Sequence, residues 1–288
     1  MGKIFALKKS NKLNKASVPA KSKKKVSKEE PRDDYKQHHR MDSSLVACLK
    51  PNSFEAEQFR MLRTNILFPI SGKSPRSIMV TSADLDEGKS FVASNLAISI
   101  AQIISEHVLL IDCDLRSPCI HTRFGLSDTP GLSEYLSHGS HFEGVGNKFG
   151  DIPELSEVLS DGVFLTSLFV PTKIDKLTIL PAGKPPHNPS ELLASKQMSE
   201  LIKKEKTRYS NRYIIIDAPP PKLMTESSVL SRQVDGVIIV VKYGSTPRKL
   251  VSDLIDILGK EKVIGIVFNC FDGYGKYDKF RKKWARLV

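Results

Sequence analysis

The chain has 288 residues, 40% of them hydrophobic and 26% charged, with a formal net charge of +12. This length and apolar content suit one α/β domain with extensions and a sizeable core. No apolar run approaches a membrane span, and no signal-peptide hydrophobic stretch opens the chain. The charge is uneven. Residues 1–50 carry 14 Lys/Arg against 5 Asp/Glu, residues 269–288 carry 6 against 2, and the body between them nets −1. A nucleic-acid-binding fold would carry its basic surface on the folded body, so this layout argues against dedicated nucleic-acid binding. Cys48, Cys113, Cys119 and Cys270 show no paired spacing, which fits free thiols in a reducing cytoplasm.

In chain order, residues 1–50 read as a basic, solvated arm around Lys23-Lys-Lys25. The arm is either a soluble leader or a segment drawn to an anionic membrane surface or acidic partner. Helices are predicted over 54–67, 89–104, 190–207, 225–232 and 247–258. Strands are predicted over 77–82, 107–113, 177–181, 213–217, 236–242 and 263–269. Their alternation implies a mostly parallel sheet with helices on both faces. Residues 138–176 show no period and read as an insertion. A near repeat, Asp128–Gly139 returning as Asp151–Gly162, looks like a local duplication. Residues 271–288 form a basic tail.

Between the first body strand and its helix lies Ala83-Asp-Leu-Asp-Glu-Gly-Lys-Ser90. A strand–loop–helix of this kind surrounds phosphates with backbone N–H groups and the helix N-terminus. Ala83, Asp84, Leu85, Asp86, Glu87, Gly88, Lys89, Ser90 and Phe91 are therefore candidate nucleotide-binding residues. Lys89 would reach the β- and γ-phosphates of ATP, and the Ser90 hydroxyl would hold Mg²⁺. Two acidic strand ends follow. Asp112 and Asp114 close Val108-Leu-Leu-Ile-Asp-Cys-Asp114, and Asp217 closes Tyr213-Ile-Ile-Ile-Asp217. Ligands of open parallel sheets sit beyond the carboxyl ends of the strands, where all three acids fall. A single Asp there could equally be a turn former or helix cap.

Together these motifs resemble the bacterial tyrosine kinases of capsule and exopolysaccharide systems, the CpsD/CapB type, over about residues 50 to 270. The resemblance implies a P-loop NTPase fold of the MinD/ParA kind. Ala83–Ser90 would be Walker A, Asp112–Arg116 Walker A′ and Ile214–Asp217 Walker B. It implies catalytic roles for Lys89, Asp112, Asp114 and Asp217, with Ser90, Asp114 and Asp217 around Mg²⁺ and Asp112 placed to accept the tyrosine proton. Glu57-Gln-Phe-Arg60-Met-Leu-Arg63 matches the E-x-x-R-x-x-R helix that joins relatives into rings. Read alone, Glu57 and Arg60 are an ordinary i,i+3 pair. Asn269 is a candidate adenine contact, or a plain strand-end turn. Further expectations are a membrane polysaccharide co-polymerase as activating partner, a ring homo-oligomer, and a cytoplasmic position at the inner membrane face. Phosphorylation is expected on the tail at Tyr274 and Tyr277.

Two positions depart from the family pattern. Relatives usually carry Pro-Gly-Glu-Gly-Lys where this chain has Leu85-Asp-Glu-Gly-Lys89, so Asp86 replaces a glycine. The tail holds two tyrosines where relatives carry a cluster. The alternatives are a MinD/ParA-like ATPase switch or a weakened scaffold. The switch normally carries an additional lysine where Asp84 or Leu85 stands here.

Overall fold

The computed structural model describes residues 3–8, 40–70, 72–138, 165–221 and 226–271. Eight strands form one sheet: β1 (Lys3–Lys8), β2 (Ser77–Ser82), β3 (His107–Asp112), β4 (Val170–Pro171), β5 (Leu177–Leu180), β6 (Arg212–Asp217), β7 (Gly236–Lys242) and β8 (Val263–Phe271). Their spatial order is β1-β8-β7-β2-β6-β3-β5-β4. Every described pairing is parallel except β4 with β5.

The central strands are buried on both faces, and alternate side chains feed two cores. Val108 and Leu110 of β3 pack into one core while Leu109 and Ile111 enter the other. The first core is closed by α1 (Val46–Leu49), α2 (Phe54–Leu67) and α3 (Lys89–Ala101), with Ile120 of α4 (Ile120–Arg123). The second is closed by α5 (Leu132–His138), α6 (Pro189–Ala194), α7 (Lys196–Arg208), α8 (Glu226–Gln233) and α9 (Arg248–Leu258). The predicted α/β sheet covered on both faces is the observed architecture. Among the described residues, no helix is long and apolar enough to cross a membrane.

Local chemistry sets the boundaries. The Ser53 hydroxyl caps α2 by accepting from the Ala56 amide at 3.1 Å, and Glu55 and Glu57 sit in its first turn. The single helix predicted over 190–207 is two helices. Ser195 adopts an extended ψ of 156°, ends α6, and caps α7 by accepting from the Met198 amide.

Residues 1–50 are not uniformly a solvated arm. β1 pairs with β8 at the sheet edge, and Leu45, Val46 and Ala47 are buried. Asn95 of α3 anchors this stretch, accepting from the Ala47 amide and donating to the Ser44 carbonyl, each at 2.9 Å. Arg123 of α4 donates to the Ser44 hydroxyl at 2.9 Å. The second copy of the near repeat, most of the 138–176 insertion, and the tail beyond Phe271 lie outside the described residues.

Candidate nucleotide and phosphoryl-transfer site

Sheet register assembles the site. Asp112 at the end of β3 and Asp217 at the end of β6 are direct register partners, and Val80 of β2 faces Asp217 from the other side. Residues 83–90 continue from β2, so the phosphate loop and both acidic strand ends meet at the carboxyl ends of three central strands. Lys89 and Ser90 open α3, and Lys89 Nζ lies 2.7 Å from Asp114 Oδ2.

The loop is held by its own glutamate. Glu87 is 3% exposed, and its Oε2 accepts the amides of Ala83 at 2.7 Å and Asp84 at 2.9 Å. Its Oε1 accepts the Thr246 hydroxyl and, at 3.4 Å, the Lys242 amide. Gly88 has φ of 92°, and a Cβ there would run into the Asn269 amide, so the position requires glycine. Asp86 has φ of 56°. It therefore stands in the left-handed region that a glycine would occupy without strain, and Asp is among the residues that tolerate it. Leu85 and Asp86 point to solvent, while Phe91 turns away to pack edge-on against Phe59 of α2, with centroids 5.6 Å apart.

The acids differ in their surroundings. Asp112 is fully buried. Its Oδ1 accepts the Asp114 amide and its Oδ2 the amides of Cys119 and Ile120, all at 3.1 Å. Burial, reinforced by the Asp217 carboxylate, pushes Asp112 up to about 7. Burial likewise pushes Asp217 up to about 6, against the pull of Lys89. Burial works to lower the Lys89 pKa, but the carboxylates of Asp217 and Asp114 outweigh it and the net shift is upward. Asp114 also accepts the Ser117 amide at 3.2 Å.

Both oxygens of Asp217 are buried and nothing meets them at full hydrogen-bonding geometry, although the Ser90 hydroxyl lies close enough to favour the ionised carboxylate. Orphaned buried carboxylate oxygens are costly unless a cation or donor joins them. With the Ser90 hydroxyl and Asp114 alongside, they form a hard oxygen donor set of the kind that suits magnesium completed by phosphate oxygens and water. The residues present therefore fit a metal–nucleotide complex.

Asn269, at the end of β8, donates from Nδ2 to the Glu87 carbonyl at 2.9 Å and accepts the Cys270 amide at 2.9 Å. Its amide thus braces the phosphate loop. Glu57 and Arg60 form the local i,i+3 ion pair at 2.6 Å, and Arg60 also donates to the Pro51 carbonyl. Arg63 is tied inward, donating to the Ser99 carbonyl of α3 at 2.8 Å. Tyr274 and Tyr277 lie outside the described residues. Sequence reasoning missed Thr246, which reaches Glu87 from 159 positions away. It also missed Cys119, whose amide anchors Asp112.

A half-buried lysine at a helix start, a phosphate loop and two acids at adjacent strand ends define a P-loop nucleotide-binding protein of α/β architecture. No protein-family model matches the chain. Individual relatives do. The tyrosine-protein kinase YwqD of Bacillus subtilis is 33% identical over 254 residues, spanning 85% of this chain and 96% of its own. The kinase domain of the Escherichia coli tyrosine kinase ETK superposes with a TM-score of 0.68 at 25% identity, covering 94% of this chain and 93% of that one. The chimerical protein CapA2B2 superposes with a TM-score of 0.66 at 29% identity, covering 81% and 93%. The chain belongs to the bacterial tyrosine-protein kinase family, and it is a protein-tyrosine kinase.

Proposed function

We propose that this kinase uses ATP and Mg²⁺ to phosphorylate its own tail at Tyr274 and Tyr277, in trans within a ring, and thereby regulates capsular or exopolysaccharide synthesis and export. The observation that carries the reading is the convergence of Lys89, Ser90, Asp114 and Asp217 at the carboxyl ends of the central strands. Phosphoryl transfer needs positioning and charge neutralisation, and these residue types supply both. Lys89 and the loop amides would hold the phosphates, while Ser90, Asp114 and Asp217 would hold magnesium, which neutralises charge at the transferring group. Asp112, whose pKa burial raises to about 7, would in its carboxylate form take the proton of the entering phenol.

Ring contacts are assigned to Glu57, Arg60 and Arg63 of α2. The Glu57–Arg60 pair, with Glu57 exposed and Arg60 half-buried, leaves that face available, whereas the Arg63–Ser99 bond makes Arg63 partly structural. The partner in this reading is a membrane polysaccharide co-polymerase that activates the kinase from the inner face of the membrane. The relative solved as the chimera CapA2B2 supports a two-protein arrangement of that kind. The basic arm and tail would add contact with anionic lipid. Phosphate on the tail adds negative charge and would favour separation of neighbouring subunits.

A mixing experiment tests the proposal. A Lys89→Met protein, unable to transfer phosphate, is incubated with Mg-ATP and an active Tyr274→Phe/Tyr277→Phe protein. Phosphotyrosine on the Lys89→Met chain is the expected result. Its absence, while active wild type labels itself at the same concentration, would overturn transfer in trans.

A further inference from the structure

Two residues from separate elements converge on one member of the phosphate loop. Thr246 lies in the turn between β7 and α9, and Asn269 lies near the end of β8. Thr246 is fixed by that turn, its hydroxyl meeting the Lys242 amide at 3.2 Å, and it donates to Glu87 Oε1. Glu87 Oε2 in turn holds the amides of Ala83 and Asp84. Asn269 acts on the same residue from the main chain, donating to the Glu87 carbonyl, and its amide closes over Gly88. The two braces are joined to each other, because the Tyr243 amide donates to the Asn269 carbonyl at 2.9 Å and Tyr243 packs edge-on against Phe271 at 4.6 Å.

We propose that Thr246 and Asn269 are positioning residues for the phosphate loop, Thr246 through the Glu87 carboxylate and Asn269 through the Glu87 carbonyl. Their ligand-facing effect is on polyphosphate, not on the base. The loop needs such support because Glu87 sits between two left-handed positions, Asp86 and Gly88, with φ of 56° and 92°. Only one of them is glycine, so the conformation must be held by contacts outside the loop. Burying the Glu87 carboxylate is costly unless its oxygens are bonded, and four donors supply those bonds: the Ala83 and Asp84 amides of the phosphate loop, and the Lys242 amide and Thr246 hydroxyl at the end of β7 and the turn after it. Losing the Thr246 hydroxyl leaves Oε1 only the long 3.4 Å contact from the Lys242 amide, so the carboxylate is held less firmly against the amides of Ala83 and Asp84. This assignment rests on the nucleotide-site reading but not on the acceptor tyrosines.

The test compares two probes by calorimetry, Mg-ATP and Mg-tripolyphosphate, which lacks a base. Wild type, Thr246→Val, Thr246→Ser and Asn269→Ala are titrated with each, and their melting temperatures and KM and kcat are recorded. Thr246→Val and Asn269→Ala should weaken both probes by the same factor, roughly tenfold for one lost bond to a charged or constrained group. Thr246→Ser should stay within about threefold of wild type. KM for ATP should rise with kcat little changed. If Thr246→Val does not fold, Thr246→Ser and Asn269→Ala still carry the comparison. Loss confined to Mg-ATP would make Asn269 a base contact and overturn the brace. So would a Thr246→Val protein that binds like wild type, or a Thr246→Ser protein as weak as Thr246→Val. A wild type that binds neither probe would overturn both the brace and the nucleotide site. Absence of phosphate on Tyr274 and Tyr277 would leave the binding result standing.

Discussion

Lys89 Nζ stands 2.7 Å from Asp114 Oδ2, with both side chains largely shielded from water. The cation proposed for phosphate and the carboxylate proposed for metal thus neutralise each other at the mouth of α3. Replacing Lys89 with Met leaves Asp114 and Asp217 buried without their positive partner. Phosphate incorporation should fall by at least about 100-fold, and folding stability should fall by about 3 kcal/mol. Labelling with radioactive ATP and urea unfolding check the two effects separately.

Asp112 carries a structural and a proposed chemical duty. Its oxygens collect the amides of Asp114, Cys119 and Ile120, fixing the turn that bears Asp114. In Asp112→Asn one side of the group becomes a donor facing donors, so the melting temperature should drop, at a cost of about 1–3 kcal/mol. Phosphorylation should fall by about 100-fold or more while the Kd for Mg-ATP changes only a few-fold. Equal losses in binding and transfer would remove Asp112 from the proton-accepting role.

Asp86 occupies a left-handed position and brings negative charge to the phosphate loop. Asp86→Gly should relieve both burdens and tighten Mg-ATP binding by roughly two- to fivefold, measured by calorimetry.

Asp235 offers a pH prediction away from the site. It accepts the amides of Arg76 and Ser77, each at 2.9 Å, and pairs with Lys206. Burial works to raise its pKa, but the Lys206 contact and the two amides outweigh it and hold the carboxyl below its ordinary 3.8. A lowered acid stabilises the fold above its unfolded pKa and ceases to do so as pH falls through the folded value. Asp235→Asn should therefore melt a few degrees lower than wild type at pH 7. That gap should close below about pH 4 in thermal scans run across the acid range.

Much of this was legible in the chain because it is local. Continuous apolar runs ending in Asp112 and Asp217 mark central parallel strands, and their register then places those acids side by side. Other features depend on distant partners and leave no periodic trace. β1 is a short basic segment whose strand character comes from pairing with β8. The Ser195 break sits inside a stretch that reads as one helix until its ψ is known. Thr246 and Asn269 look like ordinary turn and strand-end residues, and only the fold brings them to Glu87. The Glu57–Arg60 pair is the plain i,i+3 contact that spacing alone suggests.

The central claim is tyrosine autophosphorylation by this P-loop site. Its most direct measurement is the intact mass of the wild-type protein after incubation with Mg-ATP, beside Lys89→Met and Tyr274→Phe/Tyr277→Phe. The account predicts a gain of one or more phosphates in wild type, none in Lys89→Met, and a reduced gain in the tyrosine variant. No gain in wild type, even with the cytoplasmic segment of a membrane activator supplied, would contradict it and favour an ATPase switch or scaffold.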